Sequence, residues 1–128
     1  MYDKPFRKTY SWNAVDLHTA DLTRVLKNPV PGSKGKVVGI EVAVTTTCAG
    51  ATTTPKVQCG DGTTANKYGE LACGTTAAGT SIIAKNDAGG LKTTVPTASD
   101  GDITVTFKAA TGAGAAGAGD VFITVEWF

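Results

Sequence analysis

The chain has 128 residues, with 12 Lys and Arg against 11 Asp and Glu and a formal net charge of +1, enough length for one domain that buries roughly two-thirds of its unfolded surface. So balanced a charge gives no field to steer the chain onto nucleic acid or an anionic membrane, and no apolar run approaches the roughly 18–20 residues that cross a bilayer. Charged residues are only 18% of the chain, and 21 Thr carry the polar content instead, a β-branched residue suited to the solvent face of a sheet.

Residues 1–16 mix aromatic and charged side chains: Phe6, Tyr10 and Trp12 stand among Lys4, Arg7 and Lys8. Pro5 disfavours a regular element at its start, and the segment reads as an extended arm preceding a domain over residues 17–128. Its opening residues lack the apolar stretch of a signal peptide, so synthesis in a host cytoplasm is expected. Three cations beside two aromatics are a weak phosphate binder, and a solvated arm that docks on protein is preferred. Residues 17–27 fit either a short helix or a strand, with strand favoured for Thr23-Arg-Val-Leu26. Asn28-Pro29 and Pro31-Gly32 end either one.

From Lys36 the pattern becomes clear. Val38, Ile40, Val42 and Val44 recur at period two, the spacing of a half-buried strand. Short strands are then expected at Lys56–Cys59, Tyr68–Cys73, Ser81–Ala84 and Leu91–Val95. Between them lie turn signals such as Gly60-Asp-Gly62, Asn86-Asp-Ala-Gly-Gly90 and Ser99-Asp-Gly-Asp102. Ile103-Thr-Val-Thr-Phe107 and Val121-Phe-Ile-Thr-Val-Glu-Trp127 close the chain as two alternating strands. Ala109–Gly119, made only of Ala, Thr and Gly, reads as a flexible hairpin loop between them. Seven or eight short strands with a turn every ten or so residues define an all-β, single-domain β-sandwich, jelly-roll-like, with an extended N-terminal arm. The expected core is Val38, Ile40, Val42, Val44, Ile103, Val105, Phe107, Val121, Ile123, Val125 and Trp127.

Motifs that carry chemistry are few. Gly112-Ala-Gly-Ala-Ala-Gly117 matches G-x-G-x-x-G by letter, but a dinucleotide site needs a helix after the glycines and a further strand, and only eleven residues follow Gly117. Asp100-Gly-Asp102 and Gly60-Asp-Gly62 lack the ligand spacing of a calcium loop and read as β-turns. Cys48, Cys59 and Cys73 have no C-x-x-C pair, and His18, the single histidine, lies far upstream, so buried reduced thiols are expected in place of a zinc site or disulfide framework. No serine sits in a nucleophile elbow and His18 is the only imidazole base, so no catalytic residue, cofactor or metal is assigned. The informative polar-face residues are aromatic: Phe122 and Phe128 fall on the face opposite Trp127, and such surface is covered either by another subunit or, for Phe122, by a loop of the same chain. Phe6, Tyr10, Trp12, Phe122 and Phe128 are therefore the candidate interface residues.

The polar arm leads into Pro29-Val-Pro-Gly32 and the strand Gly35-Lys-Val-Val-Gly-Ile-Glu-Val-Ala-Val44. Gly/Thr-rich short strands follow, and the chain closes on Gly119-Asp-Val-Phe-Ile-Thr-Val-Glu-Trp-Phe128. In this arrangement, residues 20–128 resemble the small jelly-roll-like structural proteins of tailed bacteriophage virions, the capsid decoration or cement class. The resemblance implies a homotrimer without catalysis, located in the virion. There it binds the major capsid protein on the outer shell surface and ties neighbouring subunits together, without nucleic acid or membrane partners. The rivals are a glycan-binding β-sandwich and a tail or fibre-base component of the same kind of virion.

Overall fold

The computed structural model describes residues 5–128; Lys4 of the expected basic patch lies outside them. The elements are β1 (Phe6–Asp16), β2 (Leu22–Leu26), β3 (Gly35–Ala49), β4 (Lys56–Gly60), β5 (Gly69–Ala72), β6 (Ser81–Ile83), β7 (Ile103–Lys108) and β8 (Ala116–Trp127). They form two antiparallel four-stranded sheets, β1-β8-β3-β6 and β2-β7-β4-β5, packed as a β-sandwich. Of the consecutive pairs only β4 and β5 share a sheet; every other connection passes from one sheet to the other.

The alternation read from sequence forms the inside of this sandwich. Val121, Ile123, Val125 and Trp127 of β8 face Ile103, Val105 and Phe107 of β7, all essentially without solvent contact. β8 is the centre of the first sheet, paired with β1 on one side and β3 on the other. Its other face, Phe122, Thr124 and Glu126, looks outward.

The structure differs from the expected layout in four places. First, the register of β3 against β8 shifts between Val37 and Gly39. A glycine inside a strand favours such a bulge. Val37 therefore joins the core, while Val38 turns outward. Second, β7 and β8 do not form a hairpin; they lie in different sheets, and Ala109–Ala115 spans the gap. Third, that span is tied down. Thr111 and Thr53 exchange backbone hydrogen bonds at 3.0 and 3.3 Å, and their hydroxyls meet at 2.6 Å. Ala110 N–H donates to the Leu17 carbonyl at 2.8 Å. Residues 116–119 already belong to β8. Fourth, Leu91–Val95 is not a strand; Leu91 makes an isolated bridge with Gly69.

The segment read as an arm is also placed differently. Phe6–Asp16 pairs along β8 from Phe6 opposite Trp127 to Asp16 opposite Ala118, so it is the edge strand of the first sheet. Phe6, Tyr10 and Trp12 lie on its inner side. Their period-two spacing is that of a strand, and Lys8 on the same side hides the pattern from a hydropathy reading. Trp12 meets Phe107 edge-on, with ring centroids 5.4 Å apart, and Trp127 Nε1 donates to the Tyr10 hydroxyl at 3.3 Å. β1 is regular from Phe6 to Trp12 and then bulges before Val15. Ala14 has a φ of 52° there, and its N–H donates to Asp120 Oδ1 at 2.8 Å.

Candidate docking face

The outer face of the first sheet carries a depression of about 360 Å³, lined by Thr9, Val38, Gly39, Glu41, Ile83 and Phe122 among others. Its geometry follows from register. Phe122 stands between Ser11 on β1 and Glu41 on β3, and Thr124 stands between Thr9 and Gly39. Gly39 contributes no side chain to cover the floor, and the neighbouring bulge turns Val38 outward. The short β6, paired only with residues 41–43 of β3, adds Ile83 at the rim. Ile83 is 67% exposed, the most exposed large apolar residue among those described.

Polar groups frame this apolar floor. Glu126 holds Arg7 Nε at 2.9 Å and Lys36 Nζ at 3.4 Å. Hydrogen bonds from Arg7 and then Lys36 keep its carboxyl below the ordinary glutamate range. Lys36 Nζ also sits 5.5 Å above the Phe128 ring, within cation–π reach. Thr9 and Thr124 join hydroxyls at 2.9 Å. The outer face of the second sheet is different: Thr104, Thr106, Gln58 and Glu70 give it an ordinary solvated surface, with Val25 as its one exposed large aliphatic side chain among the described residues.

The five candidate interface residues thus divide. Phe122 and Phe128 belong to the outer face, Phe122 half-buried in the floor and Phe128 exposed. Phe6, Tyr10 and Trp12 lie half-buried on the other side of the sheet, against the core. The sequence reading missed Val38 and Ile83. Gly39 inside the strand was the available signal for Val38, whereas Ser81-Ile-Ile-Ala84 has no alternation that tells which isoleucine faces out.

The acidic turns use their own carboxylates. Asp61 accepts from the N–H groups of Thr63 and Thr64 at 2.9 and 2.8 Å and meets Lys67 at 3.0 Å; these contacts hold its pKa at about 2. Asp102 accepts from the Asn28 N–H at 2.8 Å and Asp100 from the Gly32 N–H, so both fasten the β2–β3 connection. His18 is bound by Asp16 at 3.0 Å and by the Gly117 carbonyl at 3.2 Å. Cys48, Cys59 and Cys73 are buried and free, and desolvation pushes the thiols of Cys59 and Cys73 up to about 12. Among the described residues no three His, Cys, Asp or Glu side chains gather as metal ligands, and no helix is long and apolar enough to cross a membrane.

No protein-family model, curated protein or solved structure matches this chain.

Proposed function

We propose that this protein is a non-enzymatic structural component of a virion that docks on the outer surface of a capsid shell through the outward face of its first sheet. The observation that carries the reading is the apolar floor made by Val38, Phe122 and Ile83 on a face that otherwise carries threonine, serine, the Arg7–Glu126–Lys36 ion pairs and Glu41. An apolar patch framed by polar groups is the usual composition of a protein-docking surface. Strand order supports the companion reading of a jelly roll: 1-8-3-6 facing 2-7-4-5 is what two interleaved Greek keys produce, and such folds recur in viral shells and in lectins. Between those two classes the site chemistry favours protein docking. A glycan platform needs an exposed aromatic ring beside hydrogen-bonding carboxylates or amides. Here the rim is aliphatic, and Phe128, the one exposed large aromatic among the described residues, has Lys36 over its ring.

The test is co-sedimentation with capsids that lack the protein, prepared from the virus that encodes it. Ile83→Lys should weaken binding about tenfold or more, since burying an isoleucine contributes about 1.5–3 kcal/mol. Val25→Lys, on the other sheet, should bind as the parent does. Failure of the parent chain to pellet, or equal binding by both variants, refutes the reading. Binding to an oligosaccharide with no capsid binding would establish the lectin instead.

A further inference from the structure

The long edge strand β1 has a surface that the docking face does not use. No strand lies beyond it among the described residues, and it is regular for seven residues, Phe6–Trp12, before its bulge. An edge of this length presents alternate N–H and C=O groups to whatever strand can align with them. Its inner side is incompletely covered: Trp12, Val15, Leu22 and Phe107 line an open groove of about 340 Å³ where β1 and β2 leave the sandwich unsealed.

We propose that β1 pairs antiparallel with β1 of a second copy, across a two-fold axis at Thr9, joining two first sheets into one of eight strands. The partner is named by the sequence of the edge itself. The middle of the regular stretch Phe6–Trp12 is Thr9. With Thr9 on the axis, Phe6 faces the partner's Trp12 and Lys8 faces the partner's Tyr10 on the inner side. On the outer side Arg7 faces the partner's Ser11. Each pairing is favourable or neutral for cross-strand neighbours, and no like charges oppose. Lys8 already places its ammonium 4.9 Å from its own Tyr10 ring, and the partner's ring offers a second face to the same cation. Arg7 is neutralised within its own chain by Glu126 at 2.9 Å.

Other registers are worse for stated reasons. Facing copies of one strand must keep inner residues opposite inner residues, so the axis moves only in whole-residue steps. With the axis at Lys8, two lysines meet. With the axis at Tyr10, Arg7 is opposite the partner's Asn13, inside the bulge, and only residues 8–12 remain in regular pairing. The bulge at Ala14 therefore limits the edge to the self-complementary stretch. The pairing is isologous and closes on itself, unlike the trimer that the phage resemblance implies. It does not depend on what surface the outer face binds.

The test combines mass and register. The parent chain is measured by sedimentation velocity over a concentration series, where the expected species approaches twice the 13.0 kDa of one chain. Thr9→Cys then probes the axis. Directly opposed residues of an antiparallel pair have Cα atoms about 4.5–5.5 Å apart, inside the roughly 4.4–6.8 Å that a disulfide spans, so mild oxidation should give a covalent dimer. Ser11→Cys, which faces the partner's Arg7, should stay uncrosslinked, as should the parent with its buried thiols. Thr9→Lys places two ammonium groups on the axis and should yield a folded monomer, its fold checked by circular dichroism. If Thr9→Lys unfolds the chain, the Thr9→Cys and Ser11→Cys comparison decides alone. A parent that stays monomeric, a trimer, equal crosslinking at positions 9 and 11, or a folded Thr9→Lys dimer each overturns the proposal.

Discussion

Gly35 lies directly opposite Trp127 in the β3–β8 ladder, and the indole occupies the space that a side chain at position 35 would take. A Cβ there would come within 2.5 Å of Cζ3, 2.7 Å of Cε3 and 3.1 Å of Cη2 of the ring. Carbon atoms in good contact sit about 3.5–4.0 Å apart, so Gly35→Ala requires the ring or the strand to move by roughly 1 Å. Trp127 is fully buried and has no solvent to retreat into. Overpacking of this kind costs about 1–3 kcal/mol, and the chain-entropy gain of Gly→Ala offsets roughly 0.5 kcal/mol of it. The net loss should be about 1.5 kcal/mol, a fall in Tm of about 6 °C for a domain of this size. Urea unfolding followed by tryptophan fluorescence measures it. Gly39→Ala is the control: its Cβ would meet Thr124 at an ordinary 3.5 Å, and its midpoint should stay within about 0.5 kcal/mol of the parent. The double variant Gly35→Ala/Trp127→Leu should lose at least 1 kcal/mol less than the sum of the singles, roughly the coupling of neighbours in contact. Equal midpoints for the two alanine variants, or additive losses in the cycle, would refute the reasoning.

Two further outcomes follow from the turns and the thiols. Asp61 is held at about 2 in the folded chain against an ordinary 3.8, so its contribution is present above the unfolded value and is lost as pH falls from 3.8 towards 2. The Tm difference between the parent and Asp61→Asn should be constant above pH 5 and shrink through that window; a difference independent of pH down to 2 contradicts the assignment. Cys48, Cys59 and Cys73 should resist a thiol reagent at pH 8 in the folded chain and react together on unfolding in urea, because burial suppresses both access and thiolate. Rapid labelling of even one of them in the native protein counts against the packing described.

Residues whose environment is decided by local alternation were legible in sequence: Val121 to Trp127, Ile103 to Phe107, and Val42 with Val44 all face inward as their spacing requires. Where the structure departs, a longer-range effect decides. The bulge that exchanges Val37 for Val38 depends on how β3 is matched to β8, although Gly39 marked the place. The Gly/Ala span after β7 looked free because none of its side chains can anchor it. It is held instead by backbone pairing between Thr111 and Thr53, and Gly112 at a φ of +95° accepts the close approach of Thr52. The β1 segment read as an arm because the strand it pairs with, β8, is more than a hundred residues away in sequence. The candidate docking face was half legible. Phe122 was placed by alternation, whereas Ile83 reaches the same rim only because β6 lies beside β3.

Antiparallel pairing of β1 with β8 sets Phe6 opposite Trp127, and Lys34 exchanges backbone hydrogen bonds with Phe128 at 2.7 and 2.8 Å. The entrance and exit of the fold are therefore neighbours on one rim, about 5 Å apart across the ladder. Neighbouring ends let a domain be spliced into a host loop, or rejoined by a short linker and reopened elsewhere, without stretching the chain. The Asn86–Gly90 turn is a suitable place to reopen it, being largely exposed and outside both ladders. A peptide joined directly to Phe6 and another joined to Phe128 would leave from the same side of the molecule, so the two cargoes would be displayed together.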